Sequence, residues 1–157
     1  MEELTGSWTL RFDPKWGGPE QVEFSRLEDW TKRPEEGIRH YSGMATYAKR
    51  FTLPGKISGR VFLDLGTVKA IAEVRLNGHS LGTVWTAPWR VEVTAALRPA
   101  ENALEIDVVN LWPNRLLGDA LLPPEQRRTR TNIVLDPKLP LQSSGLLGPV
   151  VLRQETR

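Results

Sequence analysis

The sequence predicts an all-β fold, a sandwich or barrel. Three observations predict it. Apolar and polar residues alternate over short runs, Gly/Pro turns separate those runs, and no stretch has the period of a helix of normal length. The 157 residues suit a single domain, 1–157, with one core.

The strand candidates follow in chain order. Ser7 to Phe12 puts Trp8, Leu10 and Phe12 on one side. Gln21 to Phe24 follows the Gly17-Gly18-Pro19 turn, and Leu27 and Trp30 then plug one end of the core. Met44 to Leu53 is a longer strand stopped by Pro54-Gly55. Gly59 to Leu65 ends at Gly66, and Ala70 to Leu76 runs into Asn77-Gly78. That dipeptide is the strongest short hairpin signal, because a type I′ turn needs positive φ at both central residues. His79 to Val84 is the return strand, and Arg90 to Val93 comes next. Thr94 is placed to cap one helical turn over residues 95–97. Asn102 to Asn110 is the cleanest amphipathic strand, with Leu104, Ile106 and Val108 opposite Ala103, Glu105 and Asp107. Residues 111–147 read as a long irregular segment, broken by prolines at 113, 123, 124, 137 and 140, before a closing strand at Val150 to Gln154. This makes about eight strands.

Composition narrows the function classes. With Cys 0, disulfides and thiolate metal sites are excluded. No stretch approaches the ~20 apolar residues of a membrane helix, so no membrane partner is expected. Net charge is +2, and the single dense basic run, Arg127-Arg128-Thr129-Arg130, reads as a solvated loop, so no nucleic-acid partner is expected. The opening MEELTGSW carries acids where a secretory leader carries bases, and the chain reads as a piece of a larger protein. The 6 Trp are more informative, because indole rings stack on sugar faces.

Catalytic motifs are missing. His40 and His79 lie at no metal-ligand spacing, there is no nucleophile elbow, and Ser143-Ser144-Gly145 reads as a turn. Glu105 and Asp107 share a strand face as a glycosidase acid pair would, but amphipathic strands produce that spacing routinely. The chain is therefore not expected to be an enzyme. The better constellation is aromatic and polar. Trp85 and Trp89 share one loop, and Asn110, Trp112, Asn114, Arg115 and Asp119 follow the amphipathic strand. Where these loops meet on one rim, rings for stacking stand beside amides and a guanidinium for hydroxyls. Two readings stay open. The Trp residues either bind ligand or anchor loops, and Arg115 either faces a sugar or pairs with Asp119 across a turn.

These residues also carry a resemblance. YAKRFTLP, VFLDLGTVKAIAEVRLNGHSLGTVW, Pro88-Trp89 and VTAALRPAENALEIDVVN, spanning Tyr47 to Asn110, resemble the sugar-binding domain of family 2 glycoside hydrolases. The flanks (the stretch from Leu4 to Thr31, HYSGMATYAKRF, NLWPNRLLGD and LQSSGLLGPVVL) are similar to the C-terminal region of α-L-rhamnosidase-like enzymes of glycoside hydrolase family 106. The resemblance implies a β-sandwich jelly roll of the galactose-binding-domain-like type. It also implies a bacterial parent enzyme, secreted or periplasmic, whose catalytic barrel lies elsewhere, because 157 residues cannot hold one. Related modules often hold a structural calcium, for which Asp13, Asp64, Glu73 and Asp107 qualify only by type.

Three functions compete. The first is a non-catalytic carbohydrate-binding module for plant-type oligosaccharides or polysaccharides. The second is a structural domain packed against the parent's catalytic domain. The third, a free-standing hydrolase, lacks any acid–base signature. A monomer is expected.

Overall fold

A computed structural model describes residues 1–53, 55 and 58–155. Its strands are β1 (Glu2–Glu3), β2 (Trp8–Phe12), β3 (Val22–Phe24), β4 (Met44–Thr52), β5 (Arg60–Asp64) and β6 (Thr67–Lys69). They continue as β7 (Ile71–Leu76), β8 (His79–Val84), β9 (Arg90–Glu92), β10 (Glu101–Val109), β11 (Gly145–Gly148) and β12 (Val151–Glu155). A six-stranded sheet runs β3-β2-β4-β10-β7-β8 and a four-stranded one β1-β12-β5-β9, with β11-β6 as a small third sheet. All named pairings are antiparallel, as an all-β sandwich requires. No described helix is long and apolar enough to cross a membrane.

Period-2 alternation generates the core. On β10, Leu104, Ile106 and Val108 point inward, and their partners Leu76, Val74 and Ala72 on β7 are buried beside them. Trp8 and Trp30 are core residues. Trp30 packs against Phe12, Tyr41 and Tyr47, and its indole N–H donates to the Tyr47 hydroxyl at 2.6 Å. Burial pushes the Tyr47 hydroxyl well above the usual phenol range, so it stays protonated. The hairpin turn forms as expected, with φ of 54° at Asn77 and 83° at Gly78.

The structure departs from expectation in places. The segment 111–147 is not irregular throughout. It contains α2 (Pro113–Ala120), preceded in the chain by the single-turn α1 (Glu36–Arg39), and it leads into β11. Periodicity misses α2 because the helix turns a polar face inward, burying Asn114, Arg115, Gly118 and Asp119 with Leu117 as their one apolar companion. A single turn does form after β9, closed by Leu97 N–H on the Val93 carbonyl. Thr94 does not cap it, because its hydroxyl accepts from the Val61 N–H on the other side of the sheet pairing. The Pro54 expected to stop β4 lies outside the described residues.

Candidate functional site

Sheet order brings the two suspected loops to one rim. The end of β8 at Val84 pairs with Ala72, and Ala72 pairs with Val108 near the end of β10. The chain therefore leaves β8 toward Trp85 and β10 toward Trp112 on the same edge, with β7 between them.

At that rim the rings are exposed and the polar groups are not. Trp85 is 76% exposed and Trp112 50%. Trp16 stands edge-to-face with Trp112, with ring centroids 5.0 Å apart. Trp89 differs from its loop neighbour. It is half-buried and packs against the core, while its carbonyl accepts from the Leu65 N–H at 2.7 Å.

The four polar members of the expected set are buried, and their hydrogen bonds run inward. Asn110 donates to the Tyr41 carbonyl and to the Ser144 hydroxyl, and its oxygen accepts from the Gly43 N–H. Asn114, 1% exposed, exchanges two 2.7 Å hydrogen bonds with the backbone of Gln142, as a strand partner would. Its second N–H also goes to Ser144, whose hydroxyl in turn donates to the Gln142 carbonyl. Both amides and the hydroxyl are thereby saturated. The expectation that these amides face a sugar is corrected by that geometry. They substitute for sheet pairing in a segment too irregular to pair by itself.

Arg115 and Asp119 lie one turn apart on α2 and form a buried ion pair at 3.0 Å. The remaining Asp119 oxygen accepts from the Arg128 and Thr129 N–H groups and from the Thr129 hydroxyl. Burial pushes the Asp119 carboxyl up. Those donors and the Arg115 charge outweigh it, leaving the group below the usual carboxylate range. Burial pulls the Arg115 guanidinium down, against the Asp119 charge that raises it. Asp119 therefore ties residues 128 and 129 to the helix instead of facing solvent. Ser42 completes the joint, accepting from the Arg115 N–H and donating to the Leu111 carbonyl. Ser42, Gln142 and Ser144 were not singled out from the sequence as site residues. Their one signal was that small polar side chains serve irregular backbone.

The carboxylates considered for catalysis face outward from β10. Glu105 binds Arg11 at 2.7 Å, and Asp107 binds Arg75 at 2.6 Å and Thr46 at 2.6 Å. Burial pushes the Asp107 carboxyl up, but these hydrogen bonds and the Arg75 charge hold it below the usual range, the opposite of what a general acid needs. Of the acids suggested for calcium, Glu73 and Asp107 are cross-strand neighbours with Arg75 between them, while Asp13 and Asp64 stand apart from that pair. Asp13 caps a turn through the Lys15 N–H, Asp64 binds Arg153, Glu73 accepts from Ser80, and Asp107 is paired as described. Among the described residues no three His, Cys, Asp or Glu side chains gather as a metal site would require.

Residues 28–122 match the family model described as the glycosyl hydrolase 2 galactose-binding domain-like family. The chain is 39% identical over 174 aligned positions to a putative beta-glucuronidase of Formosa agariphila, covering 94% of this chain and 15% of that protein. The solved rhamnosidase from Novosphingobium sp. PP1Y superposes with a TM-score of 0.90 at 39% identity, over 97% of this chain and 15% of that one. The Ruminococcus gnavus beta-glucuronidase shares the fold, with a TM-score of 0.59 at 20% identity over 69% of this chain. The chain thus spans about 15% of the length of the first two relatives.

Proposed function

The chain belongs to the glycosyl hydrolase 2 galactose-binding domain-like family, and from that premise we propose that it is a non-catalytic ancillary domain that holds saccharides on its Trp85–Trp112 rim. The observation that carries this reading is the sorting of side chains at the rim. Two indoles are exposed there, while the polar groups beside them are buried and saturated. An exposed indole offers a flat apolar face on which a sugar's C–H groups can stack. The held carboxylates of Glu105 and Asp107 support the non-catalytic part. The ligand class we propose is a plant-type oligosaccharide or polysaccharide, met by a secreted or periplasmic bacterial parent enzyme. Affinity near the millimolar level needs only about 4 kcal/mol, and stacking on the exposed rings is its main source. The test is a Trp fluorescence titration with a panel of monosaccharides and plant polysaccharides. A saturable change that Trp85→Ala and Trp112→Ala each weaken at least tenfold supports the reading. A flat response across the panel removes it.

One observation favours a second reading, in which the rim docks on the parent's catalytic domain. Met44, Val109 and Ile71 are cross-strand neighbours on the outer face, and Leu111 and Trp112 continue the row. All but Val109 are exposed apolar side chains. A surface of that kind fits a covering partner as well as a ligand. In a parent-length protein this reading predicts slowed amide exchange at residues 109–112 relative to the chain alone. Equal exchange in both contradicts it.

A further inference from the structure

Strand register gives the Trp rim a floor, and the floor has a length. At this edge Met44, Val109 and Ile71 stand side by side on β4, β10 and β7. Val84 pairs with Ala72 and packs on the core, so alternation turns the next residue, Trp85, to the outer side beside Ile71. Trp16 follows β2 and Trp112 follows β10, so their edge-to-face contact lies across the end of β4, the strand between them. The indoles therefore form two stations, one over β4 and one at β8. Three strand spacings separate them, about 14 Å. Among the described residues no ring makes a stacking or edge contact with Trp85. A single sugar ring covers one station and leaves the other bare.

The row between the stations is apolar and uncharged, and the next outer row is polar. Two residues further into the sheet, Thr46, Asp107, Glu73 and Thr83 are paired in that order across β4, β10, β7 and β8. Thr46 and Asp107 are spent on each other at 2.6 Å, and Asp107 also holds Arg75 at 2.6 Å. Glu73 is the most loosely held of the three carboxylates around Arg75, at 4.0 Å against 3.5 Å for Glu105. Its side chain is 46% exposed, and its other contact is the Ser80 hydroxyl at 3.5 Å. Thr83 is exposed beside it. Glu73 and Trp85 are diagonal neighbours on adjacent strands, close enough to serve one ligand. The carboxylate thus offers a sugar hydroxyl the acceptor that the buried Asn110 and Asn114 do not.

Resting on the saccharide reading of the rim, we propose that its ligand is a neutral oligosaccharide laid across the strands from Trp85 to Trp112. Its C–H faces lie over Ile71, Val109 and Met44, and its hydroxyls donate to Glu73 and Thr83. Calorimetric titration of the full chain with galactose and with β-1,4-linked galactose oligomers up to the hexasaccharide tests this. Affinity is expected to rise at least tenfold from the disaccharide to the tetrasaccharide and then to level off. Trp85→Ala and Glu73→Ala should each weaken the hexasaccharide at least tenfold and flatten the rise with length. Both side chains are exposed, so the variants should melt with the unaltered protein. Glu125→Ala, exposed on a loop outside the rim, should bind within twofold of it. Galactose binding as tightly as the hexasaccharide would overturn the proposal and leave rim binding standing. Indifference of the hexasaccharide to Glu73→Ala would overturn it in the same way. No saturation at any length would remove the saccharide reading of the rim and this inference with it.

Discussion

Gly145 stands where no side chain fits. Its φ is 99°, and a Cβ there would lie 2.6 Å from the Trp30 indole nitrogen and 2.8 Å from the Tyr47 hydroxyl. Gly145→Ala should therefore cost roughly 1–3 kcal/mol through left-handed backbone and overpacking. Thermal melting reads this directly, and an unchanged melting temperature would refute the close approach. Ser144, one residue earlier, is the acceptor shared by Asn110 and Asn114. Ser144→Ala leaves two buried amide N–H groups without that partner and should cost about 1–3 kcal/mol, measured by denaturant unfolding. The sequence showed the residue types at this site but not the direction in which they face. Asn110, Asn114, Arg115 and Asp119 have the chemistry of a sugar contact and of a structural staple alike. Only the neighbouring backbone at Tyr41, Gln142 and Thr129 decides between the two.

At the scale of elements, strands were legible and the polar helix was not. β10 announces itself because alternation along one strand reports burial directly. α2 buries charge and amide instead of a hydrophobic stripe, so its pattern says nothing until the partners at 128–129 and 142–144 are placed. This dependence makes a prediction. Asp119→Asn strips Arg115 of its buried counter-charge and weakens the hold on Arg128 and Thr129. The expected cost is about 3 kcal/mol, since breaking one side of a buried pair leaves an uncompensated charge. Limited trypsin digestion should then cut at Arg127, Arg128 or Arg130 well before the sheets open. Cleavage no faster than in the unaltered protein would show that the helix does not hold this segment.

Across the whole molecule, acid is the condition to which the fold is most exposed. Asp29, Asp107 and Asp119 each lie below the ordinary carboxylate range. In all three, donated hydrogen bonds outweigh burial. Their contribution is present above the unfolded value of about 3.9 and is lost as pH falls through the lower folded values. His40 is lowered too, by burial and then by the nearby Arg39 and Arg115 charges. The unfolded chain takes up that proton first, so a smaller decline should start near pH 6.5. Melting temperature is expected to fall gently from there and steeply below about pH 4. Asp119→Asn should flatten the steep part. The fold class and the hairpin were readable from alternation and turn chemistry, because those signals are local, whereas the common edge of the two Trp loops depends on the sheet order β10-β7-β8, which no local pattern encodes. The identity of the exposed rings was not readable either, since Trp85 and Trp89 differ only in what packs behind them. The most direct test of rim binding follows the indole N–H resonances of the 6 Trp by heteronuclear NMR during titration with a bound saccharide. Trp85 and Trp112 should shift together and saturably, while the core indoles of Trp8 and Trp30 stay in place. A binding isotherm that leaves the Trp85 and Trp112 signals unmoved would contradict it.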